Sequence, residues 1–173
     1  MTARLIHNIG TFPHSNYDTR MQVIKAAERG DQLTFDGVYL NVWQNRDVLY
    51  WAKKPPILFV MGAYLGGDNA FDAVPNVLPI ELYCSVEQLF ELRDKYNCIL
   101  GWHTWTHADL TRLPDAQVME EINALFPVEH FAYPYGKFDA RVEALVKSAG
   151  YKYAWSVDKG NGSDFQLRRE YIT

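Results

Sequence analysis

The sequence has little cysteine. Two residues in 173, Cys84 and Cys98, cannot supply a disulfide framework. A packed core must hold the chain, and both thiols are expected free, one of them buried. Long apolar runs are also missing, so nothing approaches the length of a membrane span. Residues 1–7 carry no signal-type hydrophobic region, and a cytoplasmic chain is the expectation. Excess positive charge is absent too. Lys and Arg number 17 against 21 Asp and Glu, a net charge of −4, and they are scattered, which argues against a nucleic-acid-binding surface. No internal repeat or low-complexity segment is visible.

Apolar residues make up 48% of the chain, enough for a sizeable core, and aromatics make up 14%. The length fits one domain over 1–173, with residues 1–30 expected as an N-terminal extension packed on it. Patterning predicts helices over 18–30, 42–52, 85–96, 138–149 and from 115 onward with Leu125 on its apolar stripe. Ser85 and Gln88 have the spacing of a capping box. Strands are expected over 32–35, 57–61, 99–102, 130–133 and 153–157, with a last one near Tyr171. Strands and helices alternate through the second half, which predicts a βαβ architecture and leaves a barrel and an open doubly wound sheet equally allowed.

The segment Gly101-Trp102-His103-Thr104-Trp105-Thr106-His107 carries most of the information. Two of the five histidines lie four residues apart, and on a helical turn they would share a face and could hold one metal ion. Upstream, Leu33-Thr34-Phe35-Asp36-Gly37 is a β-type run ending in a carboxylate. Downstream, Phe131-Ala132-Tyr133-Pro134-Tyr135-Gly136 is another run ending in a turn. In a parallel α/β fold such strand ends meet on one face, where active sites form.

In this order the three segments resemble the polysaccharide deacetylases of the NodB type, carbohydrate esterase family 4. The resemblance covers residues 30–173. It implies an irregular, incomplete (β/α) barrel and removal of N-acetyl groups from a carbohydrate. It further implies a divalent metal, zinc with cobalt or nickel as alternatives, and an N-acetylated saccharide as substrate. His103 and His107 match the metal-binding histidines. Tyr135 matches the residue whose backbone N–H serves the oxyanion hole, with Pro134 before it. Tyr39, Trp105 and Pro134 are the expected saccharide-facing residues.

The match departs from the family at three points. The family has two adjacent aspartates, a base and then a metal ligand; here Asp36 stands alone before Gly37 and is a candidate for either task. The family's arginine before the Pro-Tyr motif is Ala132 here; Arg168 and Arg169 could supply the missing charge, and Arg169 is the expected replacement partner for Asp36. No histidine follows His130, so His14 is the candidate for the family's C-terminal general acid. Asp68 and Asp72 are candidates to complete a metal site, whereas His7 and His130 read as structural. Two other functions fit the sequence: an eroded domain that binds saccharide without turnover, and a hydrolase of another non-peptide C–N amide. Oligomeric state stays open.

Overall fold

The computed structural model describes residues 2–7, 9, 19–71, 80–157 and 160–172. Among these residues seven short strands, all parallel, close on themselves in chain order: β1 (Ala3–Ile6), β2 (Gln32–Asp36), β3 (Ile57–Val60), β4 (Ile99–Trp102), β5 (His130–Ala132), β6 (Tyr153–Val157) and β7 (Leu167–Tyr171). Closure comes from β7 returning to β1 through Arg4↔Glu170 and Leu5↔Tyr171. This is an irregular (β/α) barrel with one strand fewer than the regular eight, and closure decides against the open sheet. The helices are α1 (Thr19–Arg29), α2 (Leu40–Gln44), α3 (Val86–Tyr96), α4 (Asp115–Ile122) and α5 (Ala140–Ser148). None among the described residues is long and apolar enough to cross a membrane.

The described parts of residues 1–30 belong to the barrel itself, where an N-terminal extension packed on it was expected. Ala3–Ile6 pairs in register with Gln32–Phe35 and forms a stave of the barrel, and α1 buries Val23, Ala26 and Ala27 against it. Sequence reasoning missed β1 because a four-residue strand is too short to show alternation.

Side-chain alternation along each strand divides the core in two. Leu33, Phe35, Leu58 and Val60 point outward and join the helices' Val23, Leu89, Leu92, Val118 and Val146 in the main core. Ala3, Ile57, Phe59, Ala132 and Trp155 form a second cluster in the lumen. Phe59 fits there because Gly101 has no side chain: a Cβ at that position would come within 2.7 Å of the Phe59 ring. Such a ring contributes about 1.5–3 kcal/mol by burial. The lumen also holds polar side chains: Thr34, Asp36 and Arg169 are buried on the same strand faces as its apolar cluster.

Two helices are shorter than their sequence patterns. The run over 42–52 breaks at Asn45, whose side-chain amide donates to the carbonyls of Asn41 and Ile9. That bond competes with helix continuation, and a 3-10 turn over Arg46–Trp51 follows. α4 stops at Ile122, and Leu125 is exposed rather than on the apolar stripe. The capping box at α3 forms as the spacing predicts, with Ser85 Oγ accepting from the Gln88 amide and the Gln88 side chain accepting from the Ser85 amide. Both cysteines are free and buried, and burial pushes each thiol up to about 12.

Candidate active site

Because all seven strands run the same way, their C-terminal ends form one rim. His7 follows β1, Asp36 ends β2, His103 follows β4, and the Pro134–Gly136 turn follows β5. Arg169 reaches the same level from inside β7. Residues separated by more than a hundred positions are thereby brought together.

Arg169 is fully buried and grips Asp36 with both terminal nitrogens. Nη1 donates to Oδ1 at 2.5 Å and Nη2 to Oδ2 at 3.0 Å. Its remaining donors reach the Ser156 carbonyl at 3.2 Å and the Thr34 hydroxyl at 3.4 Å. The planar fork suits a carboxylate, and a buried cation of this kind requires such a full set of partners. Burial, the largest single influence, would push the Asp36 carboxyl up, but the charge and hydrogen bonds of Arg169 together with the imidazoles of His103 and His7 hold it well below the usual carboxylate range. The replacement arginine expected from the sequence thus meets its aspartate.

His103 lies across from this pair. Its Nδ1 is 2.8 Å from the Ala132 carbonyl. A carbonyl only accepts, so Nδ1 carries the proton. Burial pushes the imidazole down to about 3, so the ring is neutral near pH 7 and Nε2 has a bare lone pair. That lone pair faces Asp36 Oδ2 at 3.5 Å. Two acceptors held face to face in a buried site suit a cation between them. The separation is close to the about 3.4 Å between two ligands of a tetrahedral zinc. The Nδ1–carbonyl bond is the outer contact that fixes a metal-ligating histidine. His107 packs next to His103, with ring centroids 4.8 Å apart. Among the described residues no three His, Cys, Asp or Glu side chains are grouped so as to hold a metal ion. The donors that do face each other are two, His103 Nε2 and the Asp36 carboxylate, with the His107 ring packed beside them.

The two histidines are not on a helix, contrary to the helical turn considered from their spacing. Residues 103–109 are irregular. Thr104 and His107 have left-handed backbones, with φ of 71° and 61°. Each such residue costs of order 1–3 kcal/mol and persists only when its surroundings impose it. Thr104 Oγ1 accepts from the His107 amide at 2.9 Å and closes the loop. Tyr135, at φ 57°, is a third residue of this kind, and its ring lies 4.5 Å from that of His107.

A small cavity of about 60 Å³ opens among His7, Asp36, Gly37, Tyr39, Met61, Phe71, Tyr83, His103 and His107. By volume it has room for about two waters. Two larger hollows, of about 640 and 460 Å³, lie beside residues 123–129, away from Asp36 and His103. His7 is the residue sequence reasoning missed. It read as structural, but it stands exposed on the cavity wall, where its protonated form favours the Asp36 carboxylate. Its position just past a strand end was the available signal.

The other candidates divide. Tyr39 lines the cavity and stacks on Tyr83 at 4.5 Å. Trp105 is not among the lining residues; it packs on Trp102 and over Gly62, and its indole donates to the Asn123 carbonyl. Pro134 is buried and shapes the turn. Asp68 is exposed, caps the Ala70 amide and does not line the cavity. Arg168 points outward, 3.9 Å from Glu170. His14 and Asp72 lie outside the described residues. At Gly37, φ is 82° and a Cβ would come within 2.9 Å of the Tyr83 ring and 3.2 Å of the Met61 methyl, so a second carboxylate there would displace both.

A closed parallel barrel with an acid–imidazole cluster on its C-terminal rim defines a barrel protein built around a rim site. The polysaccharide deacetylase profile matches residues 24–154, and the chain belongs to that family. No curated protein matches it. Among solved structures it is similar to IcaB from Ammonifex degensii, with TM-score 0.74 and 18% identity over 99% of this chain and 91% of that one. A polysaccharide deacetylase from Bacillus cereus gives 0.73 and 19% over 99% and 64%. The Streptococcus pyogenes deacetylase PplD, in complex with acetate, gives 0.73 and 14% over 99% and 92%. The chain spans 63% of the length of a further similar protein, from Bacillus anthracis. These likenesses show the fold.

Proposed function

We propose that the chain is a metal-dependent carbohydrate N-deacetylase, a hydrolase that frees acetate from an N-acetylated saccharide. One observation carries this reading: the bare Nε2 of His103 facing a carboxylate that Arg169 keeps ionised. His103 and His107 hold a divalent cation, zinc first, with cobalt or nickel able to replace it, and Asp36 approaches from the other side. When bound, such an ion acidifies water and polarises an amide carbonyl.

The chain's own residues do the rest. Arg169 fixes the plane of the Asp36 carboxylate, which accepts a hydrogen bond from the attacking water and aims it. So acidic a carboxylate is a weak base. Asp36 therefore takes the water's proton only as the O–C bond forms. The amide N–H of Tyr135 faces the oxyanion; one such donor is worth about 2.7–4 kcal/mol. His7 protonates the nitrogen as the C–N bond breaks, leaving acetate and a free amine. Tyr39 offers its ring to the sugar, Pro134 sets the Tyr135 backbone, and Trp105 stiffens the histidine loop. The acetate in PplD, a similar fold, is the product this reaction would release.

The test is acetate release from N-acetylated oligosaccharides with added zinc, cobalt or nickel, and after chelation. Wild type should release acetate, and both Asp36→Asn and His103→Ala/His107→Ala should not, the latter with lowered metal content. Equal metal content in the double variant would remove the ion from the account. Saccharide binding with no release by wild type would make this a binding domain instead, as its incomplete ligand cage also allows.

A further inference from the structure

The C-terminal end of α4, with its C-cap Asn123, is bound to the histidine loop through four hydrogen bonds and to the end of β4 through a fifth. Glu121 Oε2 accepts from the backbone amides of Trp105 and Thr106, each at 2.9 Å, and Oε1 accepts from the Thr106 hydroxyl at 2.6 Å. The helix's final carbonyls take the two indoles: Trp102 Nε1 donates to Glu121 O, and Trp105 Nε1 donates to Asn123 O, both at 2.9 Å. The four contacts to Trp105 and Thr106 lie between His103 and His107, and between the two left-handed residues of the loop, while the fifth holds Trp102 at the end of β4. The loop's own bond, Thr104 to the His107 amide, fixes only its closing end. A conformation this unfavourable needs an external constraint: the Gly62 and Ala63 amides donate to the Thr104 and Trp105 carbonyls at 3.1 and 3.0 Å, and the Glu121 carboxylate meets three loop donors at once.

We propose that Glu121 is a positioning residue: its carboxylate sets the distance and angle between the two imidazoles. It touches neither the cavity nor Asp36 and acts only through the loop. The inference rests on the metal reading for its consequence, but its geometric content stands apart from it. Hydrogen bonding, rather than charge, is what the geometry uses. A glutamine keeps this geometry, since its amide oxygen can accept from both backbone amides and its NH₂ can donate to the Thr106 hydroxyl.

Two readouts test this on the full chain. The first is cobalt affinity, with the visible spectrum of the bound ion. Glu121→Ala should weaken affinity about 10- to 100-fold, the usual range for an outer contact on a ligand, and alter the spectrum. Glu121→Gln should stay within about threefold of wild type. The second is amide hydrogen exchange without metal. In Glu121→Ala, Trp105 and Thr106 should exchange at least about tenfold faster, while Leu100 and Phe131 on the neighbouring strands keep their protection. If Glu121→Ala does not fold, Glu121→Asp replaces it, keeping the charge but withdrawing the carboxylate. Unchanged affinity with unchanged loop exchange overturns the proposal. So does a glutamine variant as defective as the alanine one, which would make the effect one of charge. Should wild type bind no cobalt, the metal reading fails, and the exchange experiment alone decides whether Glu121 holds the loop.

Discussion

Arg169 and Asp36 stand 133 residues apart in the chain and share two hydrogen bonds inside the barrel, at 2.5 and 3.0 Å. The pair joins the last strand to the second across the lumen. It ties the integrity of the barrel to the ionisation of the site's acid. β7 lies next to β1 and not next to β2, so the contact exists only because the barrel closes.

Arg169→Met should therefore damage stability and activity together. Removing one partner of a buried pair leaves an uncompensated charge, at a cost of about 3–5 kcal/mol. Asp36→Asn/Arg169→Met should recover part of that loss, because no carboxylate is left stranded. Denaturant unfolding of the two single variants and the double variant measures the coupling. Additive losses would show that the two side chains do not depend on each other.

His7→Gln should fold as wild type does, since His7 is exposed at the barrel rim, where its ring stacks on that of the exposed Tyr171. Metal content should be unchanged. The turnover number should fall about 10²- to 10⁴-fold, the usual contribution of a general acid. A substrate with an activated leaving amine needs no protonation and should lose much less. An equal loss on both substrates would give His7 a different role.

Folding stability should fall on acidification in two stages. The His103 imidazole titrates near its ordinary value of 6.5 when unfolded but only at about 3 when folded. Between those values the unfolded chain binds more protons, so stability drops as the pH falls through that window. Asp36, held below the carboxylate range, adds a further loss as the pH falls below about 4. Urea midpoints from pH 7.5 to 3 read this directly. His103→Gln should flatten the slope between pH 6.5 and 4, and an unchanged slope would place the dependence elsewhere.

The residues of the site were largely legible in the sequence, because chemistry-bearing side chains at strand ends are local signals. Asp36, His103, His107 and Tyr135 each sit beside a recognisable strand or turn. Arg169 was legible only as a candidate, from the cation missing at Ala132. His7 was not legible, because its strand is four residues long, and a lone histidine after an apolar run looks like any other.

Sequence by itself determined the alternation of strands and helices, the apolar faces that drive packing, and the identity of the groups able to do hydrolytic chemistry. Periodicity and residue type express these within a few neighbouring positions. Tertiary structure alone decided that the sheet closes, that Arg169 neutralises Asp36, that the histidine loop is irregular and held by Glu121, and that His7 joins the site. Each of these depends on distances between segments remote in the chain. Such distances are set by barrel closure and side-chain volume, as where Gly101 admits the Phe59 ring and Tyr83 crowds Gly37.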